Sequence, residues 1–378
     1  MTSQVPARAH GGRAPHRPPE RGSAQALSVR LFSAGQAAAE LMTVYLGLQL
    51  GLYPALAKGP ATAPELAARA RIAPRYAREW LEQQAVAGIV TVNDCAAAPD
   101  SRRYTLPPGH AEALTDPGSP FSIAPLVVLP IGGLASVMPQ LIDAYRTGRG
   151  VPYASYVTAL KGAQGDLNRS VFEHFLPGWI AQTMPDVHAA LKAGGARIAD
   201  VACGSGWSSI ALARAYPGAR VDGVDLDPGC VADAQRNIAH AGMAGRVTVA
   251  ARDAADHGRS GQYQLVCVFD ALHDMAQPVR VLRACRELLA PGAALLLMEP
   301  NVGDRFTVPA PDTERFQYAV SVLHCLPIGM AGQPSAATGT VMRPDRLCAY
   351  AAEAGLRARA LPVRHAFHRL YRLTASGA

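Results

Sequence analysis

The stretch that most constrains this chain is residues 198–226, where an apolar run is followed by glycines and then by a helical pattern. The run 198–201 predicts a β-strand, and it breaks at Gly204, Ser205 and Gly206. A second short strand is predicted over 221–226, and it carries an acidic residue, Asp225, 21 positions after the first glycine. A strand, a glycine turn and a helix N-terminus predict a nucleotide-type site, because glycines let backbone N–H groups approach a ligand.

The loop departs from two common nucleotide motifs. A dinucleotide-binding motif requires a third glycine, and this chain has Ser209 at that position. A phosphate-loop ATPase motif requires a lysine after the last glycine, and no lysine follows Gly206. Instead an acidic residue leads the loop, in the pattern Asp200-x-Ala202-x-Gly204-x-Gly206. With this pattern the stretch resembles the class I S-adenosylmethionine-dependent methyltransferases, whose first motif reads Asp/Glu-x-Gly/Ala-x-Gly-x-Gly. In that family the loop binds the methionine moiety, whose ammonium group suits an acidic neighbour.

Composition limits the other classes of function. The 378 residues can hold two domains, and the formal charge of +7 comes from an arginine-rich composition without a dense basic stripe, so nucleic-acid binding is not expected. The longest apolar stretch, 123–134, contains two prolines and is too short to span a membrane. The seven cysteines form no CxxC pair, which indicates reduced thiols and a cytoplasmic protein.

The N-terminal part divides into a tail and a helical domain. Residues 1–27 are rich in Pro, Gly and Arg and lack the apolar core of a secretory signal, so we predict a disordered tail. Residues 28–118 show helices followed by two short strands, 88–92 and 103–106, which is the winged-helix pattern. Its last helix, 75–87, mixes arginines with glutamates and suits DNA poorly. In the family that the chain resembles, such a domain dimerises and roofs the substrate pocket, so a homodimer is expected.

The rest of the chain is predicted to be a helical lid and an α/β domain. Residues 119–195 form a helical linker or substrate lid; its aromatic residues either face the substrate or belong to the core (Tyr153, Tyr156, Phe172, His174, Phe175 and Trp179). In residues 196–378, strands alternate with helices, and antiparallel strands close the domain within 361–373. The predicted fold class is therefore α/β, a Rossmann-like doubly wound methyltransferase sheet preceded by an all-helical, winged-helix dimerisation domain.

The resemblance implies S-adenosylmethionine as cofactor and a set of binding residues. Asp225 is placed to accept from ribose hydroxyls, and Asp253, just beyond the third strand, corresponds to the residue that accepts from the adenine amino group. The full cofactor-binding set that we predict comprises Asp200, Ala202, Gly204, Ser205, Gly206, Asp225, Leu226, Asp253, Ala254, Phe269 and Asp270.

Two further strand ends carry the residues suited to catalysis. His273 follows the fourth strand of the domain, and Glu299 ends the fifth. Because adjacent parallel strands end at the same edge of a sheet, the two side chains can approach one another. A histidine oriented by a carboxylate is a suitable general base for a hydroxyl that attacks a methyl group. This arrangement is similar to that of the winged-helix small-molecule O-methyltransferases, so we predict methyl transfer to a small-molecule acceptor, with a structural histidine as the alternative role.

Two alternatives stay open at this stage. His324, with His273 and Glu299, would make a two-histidine, one-carboxylate set for a divalent metal. The α-keto acid C-methyltransferases, which the chain also resembles at these positions, use such a metal, although an aspartate is expected where Glu299 stands. The other alternative is a winged-helix transcriptional regulator that retains a cofactor-binding fold.

Overall fold

The structure is a computed structural model that describes residues 22–156, 158–256 and 261–376. Most of the predicted tail, residues 1–21, lies outside these ranges. The first helix, α1 (Ala24–Gln49), begins inside the predicted tail rather than at Ser28. The reason is a local cap, because the Ser23 side chain accepts from the Ala26 N–H at 3.1 Å.

The N-terminal domain has the predicted winged-helix order of elements. Its third helix begins with a complete capping box, in which Thr62 and Glu65 each accept from the other's backbone N–H. Tyr53 and Trp80 meet edge to face in the core, with ring centroids 5.1 Å apart. The two wing strands are shorter than predicted, partly because Gly88 turns the chain with a φ of 74°. After α1 the elements are α2 (Leu52–Ala57), α3 (Ala63–Ala70), α4 (Pro74–Val86), β1 (Thr91–Val92) and β2 (Tyr104–Thr105).

A helical segment links the two domains. One continuous helical stretch in it, Ala124–Thr147, reaches 24 residues with a mean hydropathy of 1.7 and is 33% buried. By length and composition this stretch could cross a membrane, but a single helix of this kind is weak evidence for a membrane span. The sequence had predicted no segment of that length. Helix α5 (Pro108–Thr115) packs on the core of the N-terminal domain, and the helices of the linking segment are α6 (Ala124–Val128), α7 (Met138–Thr147), α8 (Thr158–His174), α9 (Leu176–Thr183) and α10 (Pro185–Lys192).

Within the described residues, seven strands form one sheet in the order β5-β4-β3-β6-β7-β9-β8. The first five in this order are parallel, and β9 pairs antiparallel with both β7 and β8. The predicted α/β fold class is confirmed. The strands are β3 (Arg197–Val201), β4 (Arg220–Asp225), β5 (Val247–Ala251), β6 (Tyr263–Phe269), β7 (Leu289–Pro300), β8 (Leu356–Ala360) and β9 (His368–Ala375). The helices are α11 (Trp207–Ala215), α12 (Pro228–His240), α13 (Pro278–Leu288), α14 (Asp312–Val320), α15 (Leu326–Ala331) and α16 (Pro344–Glu353).

The two closing strands, β8 and β9, do not fill the predicted range 361–373: β8 lies before it and β9 begins inside it. Residues 361–367, predicted as strand, connect β8 to β9, and Pro362 in this connection has no N–H to give to a ladder. The central strands β3, β6 and β7 are buried on both faces, as expected where helices cover both sides of a parallel sheet. Their carboxyl ends share one edge, and the candidate site lies there.

Candidate active site

The glycine loop after β3 has the backbone shape that its sequence predicts. Ala202, Gly204 and Gly206 have φ values of 58°, 53° and 80°, which is the left-handed region that favours glycine. At Gly206 the space is also limited, because a Cβ there would lie 3.0 Å from Ala234 Cβ. The loop then leads into α11, so the first N–H groups of this helix lie at the same edge of the sheet.

Asp225, at the end of β4, is hydrogen-bonded to the backbone of this loop. Its Oδ2 accepts from the Gly204 N–H at 2.8 Å, and its Oδ1 accepts from the Asp227 N–H at 2.9 Å. Burial raises the pKa of this carboxyl, while the two backbone donors oppose that effect. A carboxylate has about four acceptor sites, so Asp225 keeps capacity for a ligand hydroxyl in addition to these bonds.

Asp200 lies elsewhere than its predicted position beside the cofactor. Its carboxyl group is buried under α11, where the hydroxyls of Ser208 and Ser209 both donate to Oδ2 at 2.6 Å. Burial raises its pKa to about 6. Ser209 occupies the third-glycine position of a dinucleotide motif, so the residue that excluded that motif provides a bond to the leading acid. The side chain of Asp200 therefore supports the loop from beneath and does not line the cavity.

A cavity of about 690 Å³ opens over the loop. Of the predicted cofactor residues, Asp200 and Gly206 do not line it. Asp253 does, and its carboxylate also accepts from the Ala255 N–H at 2.8 Å and pairs with Arg280 at 3.4 Å. The predicted residues that line the cavity are Ala202, Gly204, Ser205, Asp225, Leu226, Asp253, Ala254, Phe269 and Asp270.

Helix α8 forms the opposite wall, and its polar residues were missed by the sequence reasoning. Lys161 pairs with Asp227 at 2.6 Å, and Asn168 Nδ2 donates to Asp270 Oδ2 at 2.9 Å. At Gly165 the helix approaches the loop closely, since a Cβ there would lie 2.2 Å from the Ser205 hydroxyl. The sequence did contain a signal, namely residues at helical spacing on one face, most of them polar or small. All of them line the cavity: Lys161, Gln164, Gly165, Asn168 and Phe172.

The aromatic residues of the lid divide among the cavity, the core and the surface. Tyr153 and Phe172 line the cavity, whereas Tyr156 is buried against His324, with ring centroids 4.8 Å apart. Outside the cavity, Phe175 and Trp179 stack on each other at 5.6 Å, and His174 contacts the Gly118 carbonyl at 2.7 Å. Tyr156 is therefore a core residue, whereas His174 and Phe175 lie at the surface, and contact of Tyr153 and Phe172 with a substrate stays a prediction.

His273 and Glu299 meet as the strand order predicts. His273 Nδ1 lies 2.7 Å from Glu299 Oε2, and the Leu272 N–H donates to Glu299 Oε1 at 3.1 Å. Both side chains are buried, at 3% and 1% exposure. Burial lowers the pKa of His273, but the adjacent Glu299 carboxylate more than offsets this and leaves that pKa well above its usual value. Burial raises the pKa of Glu299, and His273 opposes the rise.

This pair lies behind the cavity wall. Neither His273 nor Glu299 lines the cavity, whereas the next two residues, Asp274 and Met275, do. The sequence reasoning had placed the base at an open strand end, and the structure covers it.

The predicted metal set is not assembled. Among the described residues, the group of possible ligands whose atoms lie within 4.8 Å of one another is His273, Asp274 and Cys325. Glu299 is instead engaged by His273 and by the Leu272 N–H, and His324 Nδ1 contacts Cys325 Sγ at 3.5 Å. Burial lowers the pKa of His324 to about 4.

Comparison with known proteins identifies both domains. A family model described as "Methyltransferase domain" matches residues 198–292, and one described as "Rv2258c-like winged HTH domain" matches residues 37–116. The chain combines a methyltransferase domain with an N-terminal winged-helix domain. The recognition made from the glycine loop and the wing pattern is confirmed.

Curated relatives match about 30% of the chain. The ubiquinone biosynthesis O-methyltransferase of Xanthomonas axonopodis pv. citri (strain 306) is 33% identical over 115 residues, which is 30% of this chain and 47% of the relative. That of Ralstonia nicotianae is 33% identical over 114 residues, 30% of this chain and 44% of the relative. The chain thus spans about half the length of the curated relatives it matches.

Solved structures share the fold of both domains. The mitomycin 7-O-methyltransferase MmcR superposes with a TM-score of 0.70 at 20% identity, covering 93% of this chain and 98% of that one. Human N-acetylserotonin methyltransferase, in complex with S-adenosylmethionine, gives a TM-score of 0.65 at 17% identity and covers 94% and 99%. NcsB1 from neocarzinostatin biosynthesis, in complex with S-adenosylmethionine and 2-hydroxy-5-methyl naphthoic acid, gives 0.57 at 22% and covers 89% and 96%.

Proposed function

We propose that this protein transfers a methyl group from S-adenosylmethionine to a hydroxyl group of a small molecule. The observation that carries the proposal is the contact between His273 Nδ1 and Glu299 Oε2 at 2.7 Å, at the edge of the sheet where the glycine loop opens. A histidine held by a carboxylate at this edge is a base that methyl transfer to a hydroxyl can use.

The residues around the cavity suit this cofactor. The loop offers left-handed backbone at Ala202 and Gly204, where a ligand can approach the main chain. S-Adenosylmethionine carries a sulfonium and an ammonium group, and among the described residues five acidic side chains line the cavity against three cationic ones. The five are Asp225, Asp227, Asp253, Asp270 and Asp274, and the three are Lys161, Arg252 and Arg280. Two of the similar structures are described as complexes with S-adenosylmethionine.

In this mechanism the chain supplies alignment and a base. When bound, the cofactor supplies a methyl group that is already activated by the positive sulfur. Glu299 accepts from the Nδ1–H of His273, which leaves the lone pair on Nε2 for the proton of the acceptor hydroxyl. Nε2 of His273 would then accept the proton that the acceptor oxygen loses as it gains the methyl group. The surrounding cavity aligns the two reactants and excludes water.

The acceptor is a small and largely apolar molecule. Apolar side chains line the cavity beside the polar face of α8, among them Phe172, Met275 and Ile328. Several of the similar proteins are named O-methyltransferases. No described feature favours the metal-assisted alternative.

The experiment is a transfer assay with methyl-labelled S-adenosylmethionine and a panel of phenols and hydroxylated quinones. The wild-type protein should label at least one hydroxyl acceptor, and His273→Ala should lose about 100-fold or more of that rate. The matched control is His240→Ala, an exposed histidine at the end of α12. Labelling that survives unchanged in His273→Ala would refute the role of this base.

We also propose a homodimer formed through the N-terminal domain. Helix α1 exposes a row of large apolar side chains that a second copy would cover: Leu27, Leu31, Phe32, Met42 and Leu46. Light scattering should give twice the chain mass. Phe32→Glu should shift the protein toward monomer, whereas Gln36→Glu on the same helix should not, and a wild-type monomer would contradict the proposal.

The regulator alternative is not supported by the surface of α4. Its arginines are already paired with acids: Arg75 with Glu79, and Arg78 with Asp100 at 3.6 Å. A phosphate backbone would have to displace these carboxylates. We further propose a cytoplasmic location, which fits the seven free cysteines in the structure.

A further inference from the structure

The chain after α14 contains a π-helical turn, Ser321–Cys325, in which the Leu326 N–H donates to the Ser321 carbonyl five residues back. Turns of this kind are rare, and they occur frequently at functional sites. The sequence supplies a cause, because Pro327 has no N–H. The carbonyl of Leu323, four residues before this proline, therefore has no α-helical donor.

Two tyrosine hydroxyls from the preceding helical segment bond the carbonyls of this turn. Tyr156 Oη donates to the Leu323 carbonyl at 3.1 Å, and Tyr145 Oη donates to the Val322 carbonyl at 3.0 Å. Tyr156 is 2% exposed, so its hydroxyl is a donor that water cannot easily replace. Tyr145 is 60% exposed, and water can take the place of its hydroxyl.

The turn brings Cys325 against the proposed base. A ring nitrogen of His273 and the Cys325 sulfur belong to the group of atoms within 4.8 Å of one another, and Cys325 is 3% exposed. Because Glu299 occupies Nδ1 of His273, Nε2 is the nitrogen left to receive a proton.

The helix that follows the turn completes the wall over the base. Ile328 and Ala331 of α15 line the cavity, and neither His273 nor Cys325 does. The helix lies directly on the backbone after His273, since a Cβ on Gly329 would be 3.2 Å from the Asp274 carbonyl oxygen. A hydroxyl in the cavity can therefore reach Nε2 only if this wall moves.

We propose that the π turn Ser321–Cys325 and helix α15 form a gate over His273, and that the Tyr156 hydroxyl holds this gate closed. The inference rests on the proposed function in one respect, namely that opening exposes Nε2 to the acceptor. Tyr156 and Cys325 are positioning residues, because they act through His273 and the backbone around it. The closed gate keeps water from the base until an acceptor enters.

The gate can be tested without a known acceptor, by alkylation of the native full-length protein with iodoacetamide and mass spectrometry of the cysteine peptides. In the wild type, Cys325 should react much more slowly than the exposed Cys348. Tyr156→Phe removes only the hydroxyl and should raise the Cys325 rate about tenfold, the size expected for one buried hydrogen bond. Tyr145→Phe, the matched control on the neighbouring carbonyl, should leave the rate unchanged.

Cys267 and Cys285, both 0% exposed, are internal controls for the whole domain. An equal rise at these two cysteines would mean that the domain had loosened generally, and it would overturn the gate. So would an unchanged Cys325 rate in Tyr156→Phe, or an equal increase in Tyr145→Phe.

A second variant covers the case in which Tyr156→Phe does not fold. Gly329→Ala places a methyl group 3.2 Å from the Asp274 carbonyl oxygen, so it should push α15 off the backbone after His273 and speed modification of His273 by diethyl pyrocarbonate about threefold over wild type. An unchanged His273 rate would contradict the covering role of α15 and overturn the gate. These readouts need no methyl transfer, so a failure of the gate and a failure of the proposed function are distinguishable.

Discussion

The two halves of the candidate site are built in opposite ways. The cofactor half is largely one contiguous stretch, β3 to β4, whose loop faces an open cavity, and Leu226 at its end is 75% exposed. The base half joins His273, Glu299 and the turn at Cys325 from separate parts of the chain, and all of them are buried. A cofactor must enter and leave freely, whereas a base works best where water is excluded. The difference indicates that the two halves can be disabled separately.

After His273→Ala, the largest effect on kcat is expected from Glu299→Gln, which acts on the base half alone. Glutamine has one acceptor oxygen in place of two, so it can accept from the Leu272 N–H or from His273 Nδ1–H but not from both, and it loses the charge that raises the pKa of His273. We expect kcat to fall about 10- to 100-fold. A base acts when deprotonated, so wild-type activity should rise as pH passes the raised pKa of His273, and this rise should move to lower pH in the variant. A kcat–pH profile measures both effects, and an unmoved profile would contradict the pairing.

The next effect separates the cofactor half. Asp225→Ala removes the acceptor of the Gly204 and Asp227 N–H groups and should raise the Kd for S-adenosylmethionine about 10- to 100-fold. Calorimetric titration measures this. The control is Asp233→Ala, an acid on the outer part of α12 that does not line the cavity. An unchanged Kd in Asp225→Ala would show that the loop does not depend on this acid.

A smaller effect on stability is expected beneath the loop, at Asp200. Its folded pKa of about 6 exceeds the ordinary aspartate pKa of 3.8, so the folded state binds its proton more tightly, and stability falls as pH rises between these two values. Asp200→Asn removes this dependence while keeping an acceptor for the two serines. Between pH 4 and pH 7 the free energy of unfolding of the wild type should fall by up to about 3 kcal/mol more than that of the variant. Urea unfolding at several pH values measures it, and parallel curves for the two proteins would contradict it.

The smallest effect is expected at Lys161, on the wall of the cavity that α8 forms. Lys161→Gln breaks the pair with Asp227 and should raise the Kd for S-adenosylmethionine about threefold, because Asp227 keeps the Cys230 N–H as a donor. Lys192→Gln, at the end of α10, is the matched control. A change above about 30-fold would mean that Lys161 contacts the cofactor directly.

What could be predicted from the sequence follows the same division. The glycine loop and Asp225 were predictable because strand, turn and helix positions are set locally, by apolar runs and by glycine. The approach of His273 to Glu299 was predictable from the topology, since parallel strand ends meet at one edge. The boundaries of β8 and β9 were wrong, because the connection at 361–367 has no strong turn signal beyond Pro362.

The remaining features depend on contacts across long stretches of chain. Asp200 was predicted to face the cofactor, and only the packing of α11 reveals that two serine hydroxyls hold it. The bond between Asn168 and Asp270 joins residues 102 positions apart. The covering of His273 depends on Pro327 and on a tyrosine hydroxyl 167 positions before its acceptor carbonyl. No spacing motif reports such pairings.

The most direct test of the separation is a calorimetric titration of S-adenosylmethionine into the wild-type protein and into His273→Ala. The cofactor half is complete without the base, so both proteins should bind one equivalent per chain with Kd values within about twofold of each other. Absence of binding by the folded wild-type protein would contradict the cofactor site, and loss of binding in His273→Ala alone would contradict the independence of the two halves.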